Sequence, residues 1–172
     1  MLWMDRCERL VEVLRQRQLQ VTAVESCTGG MIAAAITSVP GSSEILKRSF
    51  VTYCDEAKHE MVGVRRETLE QYTAVSAQTA QEMAEGGART ARADCCLSVT
   101  GYAGPASGNE DPVGLVYIGC FSCGRTVVEE HHFSGSRQEI RSQAAKRALD
   151  LLLENIYHSK HASAPVQTRS GY

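Results

Sequence analysis

Two residues in this sequence have the types that could pair as a nucleophile and its base. Ser26 lies in Ala23-Val24-Glu25-Ser26-Cys27-Thr28-Gly29-Gly30-Met31, between an apolar run at 21–24 and a helix-suited run at 31–36. A serine hydroxyl attacks a carbonyl only when a base takes its proton. Lys58 follows the strand-like Phe50-Val51-Thr52-Tyr53-Cys54, and Asp55 reads as the N-cap of a second helix, which puts Lys58 at the third position of its first turn. The positive end of the helix dipole disfavours an ammonium there, and desolvation works in the same direction, so a lysine so placed can serve as a neutral base. On turn chemistry alone, Ser26 is a helix-capping hydroxyl, and the free N–H groups of the helix behind it suit an anion.

Competing chemistries have weaker support. Ser26 lacks the Gly-x-Ser-x-Gly surroundings of an α/β-hydrolase elbow, and neither a phosphate loop nor a dinucleotide fingerprint occurs. Cys120-Phe121-Ser122-Cys123, with His131-His132 across an expected hairpin, raises a zinc site, but adjacent strand residues point to opposite faces and there is no second Cys pair. Arg137 and Arg141, one helical turn apart, suit a phosphate or carboxylate as well as they suit solvent.

The elements that must position these residues follow from periodicity and turn signals. An amphipathic helix is expected over 2–17, a strand over 21–25, a helix after Gly29 that ends before Pro40-Gly41, and a strand over 50–54. Asp55 opens a helix that Gly63 ends, 66–72 forms a short helix, and Ser76 begins a longer one through Ala88. A buried strand at 94–100 runs into the longest loop, 101–109. Strands at 113–121 and 126–133 make a hairpin through Ser122-Cys123-Gly124. The box Ser136-Arg137-Gln138-Glu139 starts a last helix reaching Ile156. The expectation is one α/β domain over 1–157 with a mixed sheet, then a loose polar tail over 158–172.

Composition narrows the function classes. A net charge of −2 offers no basic surface for nucleic acid or an anionic membrane, so the expected ligand is a small molecule. Seven cysteines, an odd number set mostly in apolar segments, read as reduced thiols. With no signal-peptide pattern and no apolar run of about 18 residues, the expected location is the cytoplasm.

Several separated stretches resemble one family. Glu25-Ser26-Cys27-Thr28-Gly29-Gly30, Pro40-Gly41-Ser42-Ser43, Val51-Thr52-Tyr53 with Lys58, Ala74-Val75-Ser76, Val99-Thr100-Gly101-Tyr102-Ala103-Gly104-Pro105, Pro112-Val113-Gly114 and Gly135-Ser136-Arg137 with Ile140-Arg141 are similar, in order and spacing, to the CinA C-terminal domain family. The resemblance runs from about residue 5 to 157. It implies a three-layer domain, helices flanking the mixed sheet, and a nicotinamide-nucleotide amidohydrolase that converts nicotinamide mononucleotide and water to nicotinate mononucleotide and ammonia in pyridine-nucleotide salvage. It also implies no metal or other cofactor, and a homo-oligomer. Carried over, the resemblance makes Ser26 the nucleophile, Lys58 and Tyr53 its proton-handling partners, and Arg137 a substrate-site residue. Amides around Thr28, Gly29 and Gly30 would then meet the oxyanion, and the loop with Thr100, Gly101 and Gly104 would help hold the nucleotide.

The sequence departs from the family pattern at 106–111, where glycines, a threonine and a lysine are usual, and at Ser136, where an acidic residue is usual. A catalytically silent nucleotide-binding or regulatory domain of the same fold is therefore the alternative to the enzyme, and a zinc-dependent module using Cys120 and Cys123 is a third. Many relatives also carry a large N-terminal domain, and the chain is expected to be a stand-alone form without it.

Overall fold

The computed structural model describes residues 3–106 and 112–158, the Trp3 side chain excepted. The departure at 107–111 and nearly all of the expected tail lie outside those residues.

Five strands form one mixed sheet in the order β2-β1-β3-β4-β5. They are β1 (Val21–Glu25), β2 (Phe50–Val51), β3 (Cys95–Gly101), β4 (Leu115–Ser122) and β5 (Arg125–His132). Both β2 and β3 run parallel to β1, as βαβ crossovers require, whereas β3–β4 and β4–β5 are antiparallel. Among the described residues, six α-helices cover the sheet: α1 (Trp3–Gln16), α2 (Met31–Thr37), α3 (Asp55–Val62), α4 (Arg66–Tyr72), α5 (Ala77–Ala91) and α6 (Arg137–His158). The result is a three-layer α/β domain.

Period-2 alternation divides the strands between two cores. On one face, Val21 and Ala23 of β1, Cys95, Leu97 and Val99 of β3, and Val116, Ile118 and Cys120 of β4 pack with α1, α2 and α6, among them Leu10, Leu14, Ile32, Leu149 and Leu152. On the other face, Val24 and Cys96 meet Val62, Val64, Met83 and Ala88 from the α3–α5 layer. The final helix begins as expected: the Ser136 amide donates to Glu139 Oε2 at 2.7 Å, and the Glu139 amide donates weakly to Ser136 Oγ at 3.4 Å.

The structure revises two boundaries. The expected strand over 50–54 is paired only at Phe50–Val51. It is an edge strand, and after Thr52 donates to Glu25 O at 2.9 Å the chain turns into α3. Cys54, in extended conformation, takes the N-cap position expected of Asp55, so Asp55 opens α3 and Lys58 is its fourth residue. The hairpin register is also different from the one a zinc site needs. His131 lies opposite Val116 and His132 opposite Leu115, at the far end from the Cys120–Cys123 turn, so the two pairs do not converge. Among the described residues no group of metal-ligating side chains converges, and no helix is long and apolar enough to cross a membrane.

Two adjacent glycines let α5 sit close to the elements that carry the candidate site. A Cβ on Gly87 would stand 2.3 Å from Val24 Cγ2 and 2.8 Å from Cys96 Sγ, while one on Gly86 would stand 1.8 Å from Val62 O at the end of α3. Alanine at either position must push α5 off its neighbours. Although alanine favours a helix by about 1 kcal/mol over glycine, Gly87→Ala should lower stability by about 1–3 kcal/mol net in urea unfolding. Gly86→Ala should cost more, because it meets backbone rather than a movable side chain.

Candidate active site

The carboxyl ends of the parallel strands β1 and β2 both lead into the candidate site. Ser26 follows β1 directly and continues its pairing, donating its amide to Val99 O at 2.9 Å; its side chain is 8% exposed. Lys58, one turn into α3, is 1% exposed. Its Nζ lies 3.1 Å from Thr52 O and 3.4 Å from Ser26 Oγ. Asp55 Oδ1, on the same helix, is 3.9 Å away and half exposed. Burial pushes the Lys58 amine below its ordinary value, and the nearby Asp55, Cys54 and Cys27 oppose that shift without cancelling it. A buried amine with a carbonyl for its N–H and a serine hydroxyl for its lone pair is arranged to act as a base.

Cys27 is the neighbouring competitor for the nucleophile's role. It is packed into the core, and burial pushes its thiol up to about 11, so it stays protonated at neutral pH. Ser26 carries the hydroxyl that faces the lysine.

The loop between β1 and α2 contradicts the expectation that Ser26 caps the helix and that the helix start is open to an anion. Glu25, 0% exposed at the end of β1, turns its carboxylate back onto the first turn of α2. Its Oε2 accepts the amides of Gly30 at 3.0 Å and Ile32 at 3.1 Å, and its Oε1 accepts that of Ala33 at 2.9 Å. The helix N-terminus is therefore occupied from within, with Gly30 and not Ser26 as its N-cap. From the other side, Arg141 donates to Cys27 O and Thr28 O, each at 2.9 Å. The Gly29 amide closes a turn onto Ser26 O at 3.1 Å. Among the described residues the Thr28 amide, two residues after the serine, donates to no protein acceptor, and the Cys27 amide meets only its own thiol.

A cavity of about 200 Å³ opens over the pair, lined by Ser26, Cys27, Tyr53, Asp55, Lys58, Ala74, Val75, Thr100, Gly101, Tyr102, Ala103 and Arg137. Larger depressions over α5 and β5 contain no nucleophile beside a buried base. Of the expected site residues, Ser26, Lys58, Tyr53, Thr100, Gly101 and Arg137 meet here. Arg137 donates to Tyr53 Oη at 3.0 Å and to Gly104 O, joining α6 to both rims. The Tyr53 hydroxyl is thus held by Arg137 and not by Lys58. Thr100 donates to Ala74 O at 2.7 Å, which ties the end of β3 to the start of the α5 segment. Gly104 contributes a carbonyl to Arg137.

Thr28, Gly29 and Gly30 lie behind the cavity. The Thr28 hydroxyl is buried without a partner among the described residues, and the two glycines supply the positive φ values, 59° and 98°, by which the loop turns from strand to helix. The residues that sequence reasoning missed are Glu25, Asp55 as a wall of the cavity, and Arg141 as the loop's outer clamp. A glutamate ending an otherwise apolar strand was the available signal for the first.

With that geometry in hand, comparison with known proteins places the chain. The model of the CinA C-terminal domain matches residues 5–156, and the chain belongs to that family. It is 47% identical over 150 residues to a competence-damage inducible protein of Caldicellulosiruptor saccharolyticus, and 45% identical over the same length to one of Clostridium botulinum strain Loch Maree. Those alignments take in 87% of this chain but 36% and 37% of the relatives, so the chain spans little more than a third of their length. Among solved structures, the competence/damage inducible protein CihA of Agrobacterium tumefaciens superposes with a TM-score of 0.85 at 40% identity, covering 88% of this chain and 94% of that one. A CinA superfamily protein of Klebsiella pneumoniae gives 0.88 at 33% identity, covering 92% and 99%.

The Glu25 plug makes a measurable demand on stability. Glu25→Ala leaves three amides of a partly buried turn without their acceptor and should lower the unfolding free energy by about 2–4 kcal/mol, read from denaturant unfolding. A loss of less than about 1 kcal/mol would show that water replaces the carboxylate at little cost.

Proposed function

We propose that this chain is an amidohydrolase in which Ser26 is the nucleophile and Lys58 the base, and that its substrate is the carboxamide of nicotinamide mononucleotide. The observation that carries the reading is the buried Lys58 Nζ at 3.4 Å from Ser26 Oγ, inside a cavity that also holds Arg137.

In the proposed reaction, neutral Lys58 takes the serine proton as Oγ bonds to the carboxamide carbon. The carbonyl oxygen becomes an oxyanion facing the amides of Cys27 and Thr28. When the intermediate collapses, the C–N bond breaks and the nitrogen leaves as ammonia with the proton held on Lys58. A water molecule, deprotonated by the same amine, then attacks the acyl ester, and its proton returns to Ser26 as nicotinate mononucleotide departs. Proton transfer is direct between Ser26 and Lys58, with Tyr53 as a wall. Arg137 would pair with the nucleotide phosphate, exchanging its two neutral acceptors for a charged one. The reading includes action in the cytoplasm, on a small nucleotide, by a homo-oligomer.

Ammonia release from nicotinamide mononucleotide tests it. Wild type should release ammonia and nicotinate mononucleotide in equal amounts, and Ser26→Ala should lose at least about a thousandfold in kcat. Folded wild type that releases none rejects the substrate, and an active Ser26→Ala rejects the nucleophile. The pH dependence follows from the direction of the Lys58 shift. The amine must be neutral to accept a proton, so kcat/KM should rise with pH through an ionisation below the ordinary lysine value of 10.5. Lys58→Met should abolish that limb together with the activity. It should not lower the melting temperature at pH 7, since the folded state then no longer holds an ammonium that burial disfavours.

A further inference from the structure

The cavity over Ser26 carries two opposite charges that no ion pair joins among the described residues. The Arg137 guanidinium meets two neutral oxygens, Gly104 O and Tyr53 Oη. The Asp55 carboxylate has Lys58 as its ion-pair partner, at 3.9 Å. When Lys58 serves as a neutral base, that partner disappears, and Asp55 faces the cavity as an uncompensated negative charge beside the aromatic residues Tyr53 and Tyr102. A carboxylate next to aromatic side chains is the chemistry that recognises a flat, delocalised cation.

We propose that Asp55 is a specificity-determining residue that selects a substrate whose amide-bearing ring is positively charged, such as a quaternised pyridinium, over the same ring in neutral form. The proposal rests on the amidohydrolase reading for the position of the ring. Lys58 Nζ lies within reach of both Ser26 Oγ and Asp55 Oδ1, at 3.4 Å and 3.9 Å, so a substrate whose carboxamide carbon is seated on the serine has its attached ring in the same small cavity as the carboxylate. The cationic ring takes the place of the ammonium as the counter-ion of Asp55, and its charge holds Lys58 in the neutral form that accepts the serine proton. Arg137, in the wall of the same cavity, takes the substrate's anionic group. The cavity is thus fitted to a zwitterion with its positive end at the reacting amide.

The test compares nicotinamide mononucleotide with its two-electron-reduced, uncharged ring form. The ratio of kcat/KM values for the two ligands is measured in wild type, Asp55→Asn and Asp55→Glu. The ratio of dissociation constants is measured in the Ser26→Ala background with and without Asp55→Asn. Asp55→Asn should reduce the preference for the charged ring roughly tenfold in both ratios, the scale of two unit charges a few ångström apart at a partly exposed site, and Asp55→Glu should restore most of it. The ionisation of Lys58 in the free enzyme is common to both ligands and cancels in the ratio of kcat/KM values. A preference unchanged within about twofold overturns the proposal. If wild type releases ammonia from neither ligand, the amidohydrolase reading fails, and the binding ratio alone decides whether Asp55 selects charge.

Discussion

The arrangement of this site depends on a carboxylate that never sees solvent. Glu25 is 0% exposed, and placing a charge there would be costly without compensation. Three amides from the first turn of α2 supply it, at the positive end of the helix. Once those amides are taken, the loop between strand and helix has few conformations left. Gly29 and Gly30 must turn left-handed, Ser26 O closes onto the Gly29 amide, and Arg141 reaches in from α6 to take the carbonyls of Cys27 and Thr28. Because a trans peptide points its N–H opposite its C=O, a Cys27 carbonyl turned to Arg141 sends the Thr28 amide the other way. The amides proposed to meet the oxyanion are thus those that no carbonyl or carboxylate of the loop takes up.

The distance between serine and lysine is set by a second constraint, the adjacency of β1 and β2. Glu25 pairs with Val51 in parallel register, and the Thr52 amide extends the ladder to Glu25 O, so both chains leave the sheet at the same level and side by side. One contributes Ser26 as the first residue beyond β1. The other crosses Thr52, whose carbonyl receives Lys58 Nζ once α3 has completed a turn. Behind them α5 presses close at Gly86 and Gly87, touching the end of α3 through one and β1 through the other. The helix that carries Lys58 and the strand that leads into Ser26 are therefore braced against one backbone.

Much of this was legible in the sequence, and the parts that were not share a physical cause. Hydrophobic period and turn residues located every element to within a few residues, because each buries one face and ends at a glycine, a proline or a cap. The pairing of Ser26 with Lys58 was raised by their two strand-to-helix turns, but that Arg137 joins them was anticipated only through resemblance to the family, since no local rule says which turns become neighbours. Glu25 escaped because capping rules look for a side chain one residue before a helix, whereas this cap arrives from the preceding strand. Tyr53 was expected at the lysine and is found on Arg137, a choice that depends on where α6 begins in space. The zinc reading failed on register: the Cys120 turn and His131 occupy opposite ends of one hairpin, which spacing alone does not reveal.

Burial then does opposite things to two neighbours and so decides the chemistry. Desolvation penalises whichever form of a group is charged. For the Cys27 thiol the charged form is the nucleophilic one, and a shift to about 11 disarms it. For the Lys58 amine the charged form is the inert one, and a downward shift arms it. A sulfur and a nitrogen flanking the same serine are thus driven in opposite functional directions by one low-dielectric setting. The serine itself needs no perturbed acidity of its own, only a neutral amine within reach. A histidine base would be neutral near pH 7 without burial, whereas a lysine base requires it. In the proposed reaction the dryness of the β1–β2 corner, with Thr52 O as the single backbone acceptor offered to Lys58 Nζ among the described residues, is therefore part of the catalytic apparatus and not merely of the core.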